Sequence, residues 1–167
     1  GSGGSLSLTG ASSTVRVDTG TATLALPLAV AGDLTKQGAG TLDLAGDSTI
    51  AAGIRAMDGV LRVTNGAEVD ANAALADTGG HLEVVGPDST LSVTSAQDGS
   101  LGIGLSEAGT LSVTGGGVVE VNTNSPTQIG HNAGGDGNVV ISGAGSEMRL
   151  LDGGLDLGFS GGAGEVT

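Results

Sequence analysis

Six carboxylates, Asp43, Glu68, Asp70, Glu83, Glu120 and Asp156, lie in or beside short runs in which apolar residues alternate with small or charged ones. Carboxyl groups about 5–10 Å apart are what acid and base steps on glycosides require, so stacked strands could in principle assemble a polysaccharide-degrading site from this set. A lyase would also need an Arg or Lys base, and commonly calcium, whereas the five basic residues, Arg16, Lys36, Arg55, Arg62 and Arg149, are scattered. Gly134-Gly-Asp-Gly137 and Asp152-Gly-Gly154 offer the oxygens of a calcium loop, but the nonapeptide repeat such loops need is not sustained, and ordinary Asp-Gly turns account for them. His81 and His131 stand 50 residues apart without a partner at ligand spacing. Serines are abundant, yet no Gly-x-Ser-x-Gly elbow with a His and an acid partner is evident. The expectation is a chain that is not an enzyme, with no catalytic, cofactor-binding or metal-ligating residues.

Composition narrows the partners. Eighteen Asp and Glu against five basic residues give a formal net charge of −13. Without a basic cluster, nucleic acid and anionic surfaces are disfavoured partners. The chain has no cysteine, which excludes a thiolate metal site, and no apolar run approaches the roughly 20 residues of a membrane helix; Leu24–Ala31 is interrupted by Pro27. No stretch has the pattern of a signal peptide, which suggests a fragment or a mature segment. Of 167 residues only Phe159 is aromatic, so the interior must be filled by Leu, Val, Ile and Ala; Phe159 itself could pack under a coil end or serve as an exposed anchor. The 34 glycines do not mark disorder, because they punctuate runs such as Leu6-Ser-Leu8, Val15-Arg-Val17 and Leu91-Ser-Val93.

The elements that must carry these residues are strands. Leu42-Asp-Leu44, Leu61-Arg-Val63, Leu82-Glu-Val84, Leu111-Ser-Val113 and Val119-Glu-Val121 have the period of two that buries one face. Asp58-Gly59, Asn65-Gly66, Gly79-Gly80, Asp98-Gly99, Asp136-Gly137 and Asp152-Gly153 supply corners. Ala67–Ala76 reads as a helix or as a strand and turn about equally well. A phrase begins at Ile103-Gly104, returns at Ile129-Gly130 and again at Leu157-Gly158, and each time a glycine-rich turn leads into an alternating run. Its spacings, 26 and 28 residues, are those of a solenoid. Runs of three to five residues with corners on both sides favour a parallel β-helix over an antiparallel sandwich. The predicted fold is all-β, about seven coils of some 24 residues in a rod of about 35 Å.

Leu34-Thr-Lys-Gln-Gly-Ala-Gly-Thr-Leu-Asp-Leu-Ala-Gly46, followed by Asp58-Gly-Val-Leu-Arg-Val63, closely resembles the passenger-associated transport repeat of autotransporters. The match lies on Leu34, Lys36, Gly38, Gly40, Thr41, Leu42, Leu44 and Gly46; the departure is the gap, where Ile50-Ala-Ala-Gly-Ile54 replaces the family's aromatic and Gly-Gly-Thr. Residues 80–167, with Gly109-Thr-Leu-Ser-Val-Thr-Gly115 and Gly137-Asn-Val-Val-Ile-Ser-Gly-Ala-Gly145, resemble the short glycine-rich repeat of type V secreted passengers and related bacterial surface proteins. The organisation expected is one β-helix segment over 1–167, with the transport repeat at 34–63 and glycine-rich repeats over 80–167.

The resemblance implies a right-handed parallel β-helix, displayed on a Gram-negative surface or secreted, after passage through an outer-membrane barrel that is not part of this sequence. It implies a structural or adhesive role, with a host cell-surface or matrix protein as partner. Self-association in aggregates or biofilm is the alternative, and a polysaccharide-degrading β-helix enzyme a more distant one. Asn122-Thr-Asn-Ser-Pro-Thr-Gln128 is the longest polar stretch free of glycine between repeats, so Asn122, Asn124, Ser125, Thr127 and Gln128 are the candidate binding loop.

Overall fold

The computed structural model describes residues 4–95 and 100–167; the expected Asp98-Gly99 corner lies outside them. All regular structure among the described residues is strand, and strand pairs with strand only in parallel. A half-apolar run of a few residues cannot bury its apolar side alone. Each is therefore covered by the matching run one coil later, and the result is a parallel β-helix of seven coils and three faces.

The first face stacks Leu6–Leu8, Leu28–Val30, the starts of Ser48–Ala56 and Glu68–Ala76, then Thr90–Ser95, Val118–Thr123 and Glu147–Leu150. The second stacks Ser12–Arg16, Asp33–Gln37, the ends of the same two nine-residue strands, then Leu101–Ile103, Thr127–Ile129 and Leu155–Leu157. The third stacks Thr21–Leu24, Thr41–Leu44, Gly59–Val63, Gly80–Val85, Ala108–Thr114, Asp136–Ser142 and Ala163–Val166. The two nine-residue strands exceed the three to five residues read from the sequence. There the first corner shrinks to a register irregularity between Ile50 and Gly53. Ala67–Ala76 resolves as strand from Glu68, with Val69, Ala71, Ala74 and Ala76 buried. Up to Ser95, paired positions advance by 19 to 22 residues, as from Thr41 to Val60 and from Leu6 to Leu28. Beyond it they advance by 26 to 29, as from Ile103 to Ile129 and from Val118 to Glu147. The repeat read from the second half is thus the longer of two.

Inward positions form columns along the axis. On the third face Leu42, Leu61, Leu82, Leu111 and Val139 are stacked in register and almost wholly buried. On the second face the column is Leu34, Ile54, Ala74, Leu101 and then Thr127. Burying an aliphatic side chain in this way contributes about 1.5–3 kcal/mol each.

The glycines fall into two classes with different causes. Gly104, Gly130 and Gly158, which open the recurring phrase, have φ of 62°, 66° and 65° and turn the chain out of the second face. Gly59, Gly80, Gly109, Gly137 and Gly164 form a ladder at the start of the third face. From Gly80 on, these are strand residues needed for close approach. A Cβ on Gly80 would lie 1.9 Å from the Ala56 carbonyl oxygen, and one on Gly109 2.1 Å from that of Ala76. Gly80 and Gly137, read from sequence as turn residues, are therefore corrected to strand positions where coils touch backbone to backbone.

Lys36 is fully buried beside this ladder. It occupies an inward position whose neighbour in the next coil is Ala56. Its ammonium donates to the carbonyls of Gly38 and Asp58, the latter at 2.9 Å. These carbonyls belong to corners with positive φ, Gly38 at 82° and Asp58 at 142°, where no ladder partner reaches them. Burial lowers the Lys36 pKa, and the charges of Asp58 and Asp18 oppose that shift. Two coils later the buried Asp77 does the converse, accepting from the amides of Ser106 and Glu107 at 3.3 and 2.9 Å.

Gly80→Ala should destabilise the rod by about 1–3 kcal/mol through overpacking against backbone, while Gly154→Ala, where the nearest atom is Pro126 Cβ at 3.9 Å, should be close to neutral. Leu42→Ala and Val113→Ala should each cost about 2–5 kcal/mol. Urea or thermal denaturation of the four variants checks both statements, and equal midpoints for the two glycine variants would refute the close-approach account.

Candidate functional site

The candidate binding stretch is a tight corner. Asn122 and Thr123 end a strand of the sixth coil, Thr127 and Gln128 begin the next, and only Asn124, Ser125 and Pro126 lie between. Thr123 Oγ1 donates to the Ser125 carbonyl at 2.8 Å, and the Thr127 amide donates to Gly154 of the seventh coil at 2.7 Å. Asn122 and Asn124 are exposed, Ser125 and Gln128 partly so. Thr127 is corrected: its side chain is buried in the second-face column and its hydroxyl has no hydrogen-bond partner among the described residues. The polar stretch reads as a protrusion because Thr is polar, but strand alternation turns Thr127 inward.

The six carboxylates are spread over all three faces: Glu68, Asp70 and Glu120 on the first, Asp156 on the second, and Asp43 and Glu83 on the third. On the first, Asp47 Oδ1 accepts the Glu68 amide at 3.0 Å, and Asp47, Thr49, Glu68 and Asp70 line an open groove of about 400 Å³. Farther along that face Glu120 and Glu147 share Arg149, at 2.5 and 2.6 Å. The hydrogen bond from Arg149 holds the Glu147 pKa below its ordinary value, and the bonds to Glu147 and Glu120 hold that of Arg149 above. Exposed pairs of this kind contribute little to stability. Among the described residues no group of three His, Asp or Glu is placed to hold a metal ion. His131 is partly exposed, with Nδ1 3.1 Å from Asn132 Oδ1 and its ring 5.1 Å from that of Phe159. Phe159 is 55% exposed.

The densest side-chain chemistry lies on the third face. Outward positions there stack Asp43, Arg62, Glu83 and Ser112 in one register column, with Val60, His81 and Thr110 in the column beside it. Arg62 bridges its neighbours, Nη1 to Asp43 Oδ1 at 3.4 Å and Nε to Glu83 Oε2 at 2.5 Å. Glu83 Oε1 faces His81 Nδ1 at 3.6 Å, an ion-pair separation rather than a hydrogen bond. His81 Nε2 stands 2.8 Å from Ser112 Oγ. With the ring proton on Nδ1, facing Glu83, Nε2 accepts the serine hydroxyl proton.

This serine, histidine and acid were not evident from sequence, where a nucleophile elbow was sought. The signal was in the frames Gly80-His-Leu-Glu-Val84 and Gly109-Thr-Leu-Ser-Val113. Aligned on their glycines, they place Glu83 beside Ser112 and His81 beside Thr110. Partial burial lowers the His81 pKa, Glu83 raises it and Arg62 lowers it, with a net decrease that keeps the ring neutral at neutral pH.

Comparison of the chain with protein-family models, with curated proteins and with solved structures gives no match.

Because the folded-state pKa of His81 lies below its unfolded value of about 6.5, the unfolded chain takes up the proton first on acidification. Stability from this residue is full above that value and declines as pH falls toward the folded pKa. Between about pH 7 and pH 5 the melting temperature of the unmodified chain should therefore fall further than that of His81→Gln. Parallel declines would show that the imidazole is not the group responsible.

Proposed function

We propose that this chain is a structural, adhesive segment of a bacterial autotransporter passenger, displayed at the cell surface or released from it, that mediates or supports attachment to host cells or matrix proteins. The observation that carries the reading is the fit between the transport-repeat residues and the stacking they serve. Leu34, Leu42 and Leu44 fill the core, Lys36 satisfies corner carbonyls, and Gly38 and Gly40 sit where a Cβ would meet the preceding coil at 2.6 and 2.8 Å. A coil built on such local contacts can fold onto the one before it, which suits a chain that crosses a membrane unfolded. The outward polar positions then serve as a display surface held at fixed spacing.

The second reading is contact between rods; Leu150, Leu155 and Leu157 of the seventh coil continue the inward columns of Val121, Thr127 and Ile129 and do not mark a contact face. At a net charge of −13 such contact needs screening, so it should strengthen with salt or calcium.

Binding of the purified chain to an array of matrix and host-surface proteins separates the two, with light scattering followed across salt and calcium. Saturable binding to one protein, weakened about tenfold by replacing Asn122, Asn124 and Gln128 together with alanine at unchanged stability, is expected for an adhesive module. A rising scattering mass without array binding would favour self-association, and neither would leave a spacer.

A further inference from the structure

The Ser112, His81 and Glu83 arrangement goes beyond a display role. An outward ladder of charges on a β-helix needs only alternating signs, and Asp43, Arg62 and Glu83 already satisfy that. His81 adds nothing to it as a neutral ring, yet its Nε2 is 2.8 Å from a serine hydroxyl while its Nδ1 faces a carboxylate that Arg62 fixes through the other oxygen. A nucleophile in contact with a base, and a base oriented by a third group, is the geometry that activates a hydroxyl. The residues project from two strands, Gly80–Val85 and Ala108–Thr114, paired at six consecutive positions, so their separation is set by rigid backbone. His81 and Glu83 retain 28% and 19% side-chain exposure, and Ser112 is partly exposed, so a reagent can reach them from solvent.

We propose that Ser112 is an activated nucleophile that accepts acyl groups from activated esters, with His81 as the general base and Glu83 as the carboxylate that orients it. Ser112 Oγ forms a bond to the acyl carbon as its proton passes to His81 Nε2. The carbon–oxygen or carbon–sulfur bond to the leaving group then breaks, and the leaving group takes that proton, so the products are an O-acyl serine and a free phenol or thiol. Water, deprotonated by the same nitrogen, returns the carboxylic acid and the serine. Glu83 steadies the imidazolium formed in each step across the 3.6 Å separation.

The third face also limits the substrate. The strand holding Ser112 is paired on both sides, so its amides serve the ladder and do not form an oxyanion hole. The tetrahedral oxygen is met by water. Losing preorganised donors of that kind slows acyl transfer by about 10²–10³-fold. Reactivity is thus confined to aryl esters and thioesters, whose leaving groups depart readily, and excludes amides.

The test uses the 167-residue chain and p-nitrophenyl acetate at neutral pH, with nitrophenolate release followed by absorbance and the acetyl group located by peptide mass spectrometry. One acetyl group on Ser112 is expected. Ser112→Ala should abolish that adduct, and Ser92→Ala, on another face, should not. His81→Ala and His81→Asn should each slow acetylation of Ser112 by about a hundredfold, and added imidazole should restore it in both but not in Ser112→Ala. The charged groups facing His81 are Glu83 on its own strand and Arg62 on the preceding coil, while Thr110 and Ser112 on the following coil do not titrate. Glu83→Gln should therefore move the acid limb of the rate profile to lower pH, which a merely structural carboxylate would not do. Acetylation at other residues with Ser112 no more reactive than Ser92, or a Ser112 rate unchanged in both His81 variants, would overturn the proposal.

Discussion

The structure depends on one constraint, the close approach of successive coils where the second face turns into the third. Parallel strands sit about 4.8 Å apart, and at this corner the backbone of one coil runs against the carbonyls of the coil before it. Even a methyl group on Gly80 or Gly109 would fall about 2 Å from an oxygen there. Once the ladder Gly59, Gly80, Gly109, Gly137, Gly164 fixes the register, the residues two and four positions beyond Gly59, Gly80 and Gly109, and Val139 two beyond Gly137, are committed to the core. The columns from Leu61 to Val139 follow from that commitment, and so do the outward columns on the opposite side of the same strands.

The corners carry the other cost of the design, since carbonyls and amides that leave the ladder still need partners. In the second and third coils Lys36 supplies donors to two such carbonyls, and in the fourth and fifth Asp77 supplies an acceptor to two amides. Both side chains are buried, one a cation and one an anion, and each serves the turn its neighbours make. A lysine in an apolar column looks anomalous in a linear reading. It is explained by positive φ at Gly38 and Asp58, which aims their carbonyls inward.

A scaffold of this kind places outward residues with the same regularity as inward ones. Glu83 and Ser112 are 29 positions apart in the chain and direct neighbours in the sheet. Such neighbours follow from the register, which is how an outward face also brings a serine against a histidine. The same logic removes Thr127 from the surface: at its position alternation points inward, and its unpartnered hydroxyl is the local consequence of a polar residue in an apolar column.

The sequence by itself determined the fold class, the seven coils and most of the core, because strand alternation and glycine punctuation are local and each coil repeats them. It also located Leu34, Lys36, Leu42 and Leu44, which hold the coils together. Only the tertiary structure decided which glycines turn the chain and which permit contact, that Gly80 and Gly137 are strand residues, and that Ser112 lies against His81. Those facts depend on register between coils whose lengths change from about 20 to about 28 residues along the rod. Such a variable offset hides the pairing until backbone hydrogen bonds fix it.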